Sequence, residues 1–275
     1  MERIFLQMYS FGNNDPAKTE ADLKLAAEMG YNGVELFGPN FDLETEKMKK
    51  VLDENHLMAI SLHTQTDKVI EMIPYAKALG LRFMGIGMEY LPDEAAAEAF
   101  AKRLNDIGEA CSKEGILLTY HNHTQEFKLC GDKKILEIIV ENTNPAYVGL
   151  ELDAGWCAAA GDDPIAFVKK YNGRVKLIHV KESSEVLGVQ PAINPSDIKF
   201  DEFGRPVFSE EMQRTFKKSQ EINCAAGEGI VNWKNLKEAA DACGCEAYIV
   251  EREYSYAGER RDCLKADIEY YKKNM

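Results

Sequence analysis

No stretch of this sequence is long and apolar enough to cross a bilayer, since a spanning helix needs about 20 mostly apolar residues in a row. Met1 to Phe11 carries no basic leader and no cleavage site, so it reads as a first strand, and the expected compartment is the cytoplasm. None of the seven cysteines forms a C-x-x-C pair and their number is odd, which argues against a zinc ribbon and a secreted disulfide framework. Positive charge is scarce: 33 Lys and Arg against 46 Asp and Glu leave a net charge of −13, and the pairs Lys49-Lys50, Lys133-Lys134 and Lys217-Lys218 are scattered. Binding a phosphate backbone needs clustered cations. No nucleic-acid or membrane partner is therefore expected, and a small neutral or metal-chelating substrate suits this charge better. No G-x-G-x-x-G or P-loop follows any predicted strand, so a nucleotide fold has no support. Histidine is rare, with five in 275 residues, which makes each position informative.

What is present is a strict alternation of β-rich runs and amphipathic stretches. Strands are predicted at Ile4–Ser10, Gly33–Phe37, Ala59–Thr64, Arg82–Met88, Ile116–His123, Tyr147–Asp153, Val175–Glu182 and Ala247–Glu253. Helices are predicted at Lys18–Met29, Glu44–Asn55, Lys68–Leu79, Asp93–Lys113, Lys133–Glu141, Asn232–Cys243 and Glu259–Lys272, and one begins at Asp163-Pro164 with an N-cap and a first-turn proline. Eight strand–helix units imply parallel strands with helical crossovers. In about 275 residues they close a single (β/α)8 barrel, one domain over 1–275, with an open doubly wound sheet as the runner-up. The connection at 183–227 is far longer than usual and reads as a lid, a disordered insertion or a homo-oligomer contact, with a short helix over 209–222.

In such a barrel, alternate strand residues point inward and function sits at the C-terminal ends. Those ends carry Glu35, His63, His121 and His123, Glu151 and Asp153, His179 and Lys181, and Glu251 and Glu253. Members two apart share a face. Four of the five histidines lie there; His56 does not. Singly, each has a plain structural reading: a hydrogen-bonded core His, or a Glu paired with Lys181. Together they form a ring of imidazoles and carboxylates that calls for a cation. The donor mix suits one divalent ion among Mn, Zn, Co and Mg.

These residues also resemble a known family. Tyr120-His121-Asn122-His123-Thr124-Gln125-Glu126-Phe127, Leu150-Glu151-Leu152-Asp153-Ala154-Gly155, His179-Val180-Lys181-Glu182, Gly227-Glu228-Gly229-Ile230-Val231-Asn232-Trp233 and Ile249-Val250-Glu251 are similar, in order, to motifs of xylose isomerase-like barrels. That superfamily holds sugar phosphate isomerases and epimerases, inosose dehydratases and a branch of AP endonucleases. The likeness covers nearly all of the chain except about 186–226.

The resemblance implies metal ligands His121, Asp153, His179 and Glu251, with Mn favoured. Sugar epimerases of the family usually supply Glu on strand 5, where this chain has His121; Glu126 lies close and is the alternative ligand. Trp156 stands where relatives often have His. The implied chemistry is proton abstraction next to a carbonyl through an enediolate. Glu251 is the first candidate base, Glu126, Glu151, His121 and His123 are candidates for the second acid/base, and Lys181 is a further catalytic candidate. Glu35, His63, Glu151 and Trp156 are expected substrate contacts, with Arg174, Arg205 and Arg252 as candidates for a phosphate. The expected function is sugar isomerisation or epimerisation; the His on strand 5 also suits β-elimination, as in inosose dehydratases or a 3-keto-sugar lyase. A catalytically inactive sugar-binding protein is the reading from another class, and intact Asp153, His179 and Glu251 argue against it. AP endonuclease chemistry is disfavoured because strand 4 ends without His and no second His follows strand 7.

Overall fold

Eight parallel strands close on themselves in the computed structural model of the chain, which describes residues 3–201 and 205–275. Met1 and Glu2, at the head of the expected first strand, and 202–204, inside the expected long connection, lie outside the described residues. The barrel strands are β1 Ile4–Gln7, β2 Gly33–Phe37, β3 Met58–Thr64, β4 Phe83–Ile86, β5 Leu117–His121, β6 Val148–Asp153, β7 Val175–Val180 and β8 Ala247–Val250. Each pairs with its neighbours in sequence, and β8 returns to β1 through Ile4↔Tyr248, so the sheet has no open edge.

Outside the barrel lie α1 Thr19–Met29, α2 Thr45–Glu54, α3 Val69–Ala78, α4 Glu94–Ser112, α5 Ile135–Glu141, α6 Ala154–Ala159, α7 Pro164–Lys170, α8 Glu210–Glu221, α9 Trp233–Ala242 and α10 Arg260–Asn274. Their starts follow from local chemistry: Asp93, Asp163 and Asn232 accept backbone N–H groups of the first turns of α4, α7 and α9. Helix α6 carries no amphipathic signal, because all six of its residues are buried. It starts where it does because Asp153 caps it. Several strands end earlier than their sequence alternation suggests: β5 at His121, β7 at Val180 and β8 at Val250. The last paired positions there are His121↔Glu151 and Val180↔Val250, and beyond that rim no partner strand among the described residues continues the ladder.

The barrel interior changes character along its axis. Phe5, Ile60, Phe83, Leu177, Ala247 and Ile249 form an apolar plug. Two residues further along three of these strands stand Gln7, His179 and Glu251, so period two converts the plug into a polar layer at the C-terminal mouth. The connection from β7 to α9 carries α8 and is pinned to the mouth: the Leu187 and Gly188 N–H groups donate to Ala159 O, and Gln190 N donates to Thr124 Oγ1. Leu187 and Ile222 pack against Trp156 and Ala159.

Just past β8, Arg252 makes a bidentate pair with Asp267 of α10 (Nε to Oδ2 2.6 Å, Nη2 to Oδ1 2.9 Å), with the side chains only 3% and 1% exposed. Its guanidinium also donates to Asn223 Oδ1 and Cys224 O, tying the end of the long connection to the barrel. Removing one partner would leave a buried charge uncompensated, at a cost of about 3–5 kcal/mol. Urea unfolding of Asp267→Ala should show a loss of that size, and the double variant R252M/D267L should recover most of it. A loss below about 1 kcal/mol in the single variant would contradict the assignment.

Candidate metal and active site

The mouth is built from strand ends. His121 closes β5, Glu151 and Asp153 lie at the end of β6, His179 on β7, and Glu251 follows β8. One donor atom from each of His121, Asp153, His179 and Glu251 falls in a group within 4.8 Å of one another. A second group, His63, His121, Glu151 and His179, shares two of its members with the first.

Two atoms of the first group are buried without a hydrogen-bond partner: His121 Nδ1 and Asp153 Oδ2. An orphaned buried acceptor is costly, and a cation is the ordinary remedy. Asp153 is held rigidly: its Oδ1 accepts from Trp156 N at 2.7 Å, and its backbone exchanges hydrogen bonds with the Asn122 amide. Glu251 Oε2 lies 2.7 Å from His179 Nδ1. A set of two imidazoles and two carboxylates with free lone pairs fits a divalent ion.

The electrostatics describe the same site without a cation. Burial pushes the Asp153 carboxyl up to about 8, with Lys181 opposing and Glu251 adding to the rise. Burial would also raise Glu251, but the His179 hydrogen bond and charge, with the Lys181 ammonium, hold it well below the usual carboxylate range. Burial drives His121 well below its ordinary value, and the neighbouring His179 and His123 reinforce the effect. Burial would lower His179 as well, but the Glu151 and Glu35 carboxylates hold it well above.

The other expected site residues divide into two sets. Lys181 reaches the mouth, with Nζ 3.3 Å from Glu253 Oε1 and 4.7 Å above the Trp156 ring. His63 faces inward from β3 because β4 offers Gly85, where a Cβ would lie 2.5 Å from the His63 ring. His123 stands beyond β5, its ring 6.1 Å from that of Trp156 and its Nδ1 unpartnered. By contrast Glu35 and Glu151 are fully buried. Glu126 belongs to neither donor group: it accepts from Tyr120 OH, His123 N and Gln125 Nε2, which fixes the loop after β5. Arg174 precedes β7, at the opposite end of the barrel, and bonds Val140 O and Thr143, while Arg252 is taken by Asp267. Two supporting residues, Gln7 and Ser61, carry no mark in the sequence pattern, and Asn122 enters it only as part of the strand 5 motif. Gln7 donates to Glu35 Oε1 at 2.7 Å and Ser61 Oγ donates to its Oε2. Gln7 lies on the inward period of β1, but an uncharged strand residue carries no signature of such a role.

Comparison with known proteins shows the family. The profile of the xylose isomerase-like TIM barrel family matches residues 23–274. Inosose dehydratase from Geobacillus thermodenitrificans (strain NG80-2) is 26% identical over 168 residues, covering 59% of this chain and 50% of that protein. The chain thus spans about half the length of that dehydratase. The solved structure of a sugar phosphate isomerase/epimerase from Parabacteroides distasonis ATCC 8503 superposes with a TM-score of 0.75 at 23% identity, covering 98% of this chain and 93% of the other. The structure of an L-ribulose 3-epimerase gives 0.69 at 12% identity, covering 100% and 94%. At such identities the two structures share the fold alone.

Saturating Mn should stabilise the chain by about 2.7 kcal/mol at a hundredfold excess over Kd, a rise in Tm of about 5–10 °C. Because Asp153 is protonated below about 8 in the metal-free site, loading should release protons and tighten as pH rises from about 6 toward that value. Asp153→Asn and His179→Ala should fold without showing the metal shift in a thermal scan. An unchanged shift in both would remove these donors from the site.

Proposed function

The chain belongs to the xylose isomerase-like TIM barrel family, and from that premise we propose that it is a divalent-metal-dependent sugar isomerase or epimerase that moves a proton next to a carbonyl. One observation carries the reading: His121, Asp153, His179 and Glu251 converge within 4.8 Å at the C-terminal mouth, where two of their buried donor atoms have no other partner. One divalent ion held there, Mn ahead of Zn, Co or Mg, would lend Lewis acidity to the carbonyl and adjacent hydroxyl of a bound ketose.

The side chains around it divide the remaining work. Glu251, kept ionised beside His179 and Lys181, is the base that takes the proton next to the carbonyl. His123, whose Nδ1 is unpartnered, is the candidate to exchange a proton on the second face. Glu126 positions His123 by accepting its backbone N–H at 2.7 Å. Lys181 and His63 hold other substrate oxygens, and Trp156 supports the Lys181 ammonium from beneath. The carboxylates of Glu253 and Glu251 already answer the charge of Lys181, so a neutral carbohydrate suits the mouth better than an anion.

A second reading, β-elimination from an inosose or 3-keto sugar, is favoured by the imidazole of His121 on strand 5 and by the likeness to inosose dehydratases. An imidazole there breaks the symmetric pair of carboxylates that epimerisation at one carbon uses.

Both reactions start from the same abstracted proton, so incubation of ketoses and inososes in D2O with Mn separates them by their products. An isomerase returns a deuteron and conserves the carbon skeleton and mass apart from that label. A lyase expels the β-substituent and yields an unsaturated ketone. The expected product is the singly labelled isomer, and Glu251→Gln should lower exchange at least about a hundredfold, the usual scale for a lost general base. Undiminished exchange in that variant would show that Glu251 is not the base; loss of water would favour the second reading.

A further inference from the structure

His179 is approached on both ring nitrogens by carboxylates, and the two sides are not equivalent. Its Nδ1 faces Glu251 Oε2 at 2.7 Å. Its Nε2 hydrogen-bonds Glu35 Oε1 at 2.9 Å, and Glu151 Oε1 lies 3.1 Å away as a charge contact without hydrogen-bond geometry. A carboxylate only accepts, so Nε2 donates its proton to Glu35 with the charge of Glu151 beside it, and were a cation to take the place of the Nδ1 proton beside Glu251, Nε2 would be the nitrogen left protonated.

Both carboxylates are themselves fixed. Glu35 accepts from Gln7 Nε2 and Ser61 Oγ, and Glu151 Oε2 lies 2.6 Å from His63 Nε2. Neither has any exposed surface with which to meet a substrate. The strand register shifts at these same two residues, between Val34 and Glu35 in the β2–β3 pairing and between Leu150 and Glu151 in the β6–β7 pairing. Such irregularities re-aim side chains next to active sites.

We propose that Glu35 and Glu151 are positioning residues that hold His179 with its proton on Nε2, so that the Nδ1 lone pair is offered to a divalent ion beside His121, Asp153 and Glu251. The inference rests on the metal reading above and deepens it. It also chooses between the two overlapping donor groups: with Nε2 committed to Glu35, the group containing His63 and Glu151 loses the imidazole it shares with the first, holds no second ion, and the described residues bind one.

The test is a calorimetric titration of the full-length metal-free chain with Zn2+, together with nitrogen-15 spectra of its histidines once loaded. The wild type should bind one ion, with His179 coordinating through Nδ1 and Nε2 bearing hydrogen. Glu35→Ala and Glu151→Ala should each weaken binding about 10–100-fold, the range seen when a group supporting a metal ligand is lost. Glu35→Gln, whose amide oxygen still accepts from Nε2–H, should recover most of the Glu35→Ala loss, which a merely structural role of the carboxylate would not produce. Thermal unfolding of the metal-free variants identifies any that fail to fold, and Glu35→Gln keeps the comparison decisive in that case. A wild type that binds no ion overturns the metal reading and this inference with it. A wild type that binds while the alanine variants bind equally well, or that coordinates through Nε2, or that takes two ions, overturns the inference alone.

Discussion

A carboxylate removed from water must find a partner, and the mouth of this barrel buries Glu35, Glu151 and Asp153 and half-buries Glu251. His63 and His179 answer three of them, from β3 and β7. Among the described residues, Asp153 Oδ2, Glu151 Oε1 and His121 Nδ1 are left without a hydrogen-bond partner. These groups sit directly above the apolar plug of Phe5, Ile60, Phe83, Leu177, Ala247 and Ile249, which keeps water from below. The demand for positive charge is therefore concentrated at the mouth. The remaining features serve it: Asn122 fixes the backbone of Asp153, Gly85 leaves room for His63, and Glu126 shapes the loop after His121.

Much of this is legible in the sequence alone. The alternation of eight strands and helices announces the barrel, and reading each strand to its end finds the polar ring, because period two in a closed parallel sheet leaves few choices for which residues meet. What stays hidden depends on register and packing rather than on pattern. Glu35 and Glu151 look like substrate contacts in the sequence, since both stand near strand ends; in the fold both are fully buried beside shifts of strand register, which no sequence pattern announces. Helix α6 is silent because a fully buried turn of small residues has no amphipathic period. Glu126 looks like an alternative ligand by its position in sequence, but Tyr120, Gln125 and the His123 backbone use its oxygens.

The site is asymmetric in a way that bears on the reaction. On one side Glu251 is an ionised carboxylate braced by His179 and Lys181. On the other stand the imidazoles of His121 and His123, whose rings lie 5.0 Å apart. Burial keeps His121 neutral, which suits it to lend a lone pair. A base on one face and an imidazole on the other can serve a proton returned to a different atom, or a leaving group helped away, more readily than a mirror-image inversion at a single carbon.

The central claim is that these four side chains share one cation. Anomalous diffraction from a crystal of the chain soaked in Mn tests it most directly. The account predicts a single peak at the C-terminal mouth, in contact with His121, Asp153, His179 and Glu251. A crystal with no peak there, or with its peak at Glu126 or between His63 and Glu151, would contradict it.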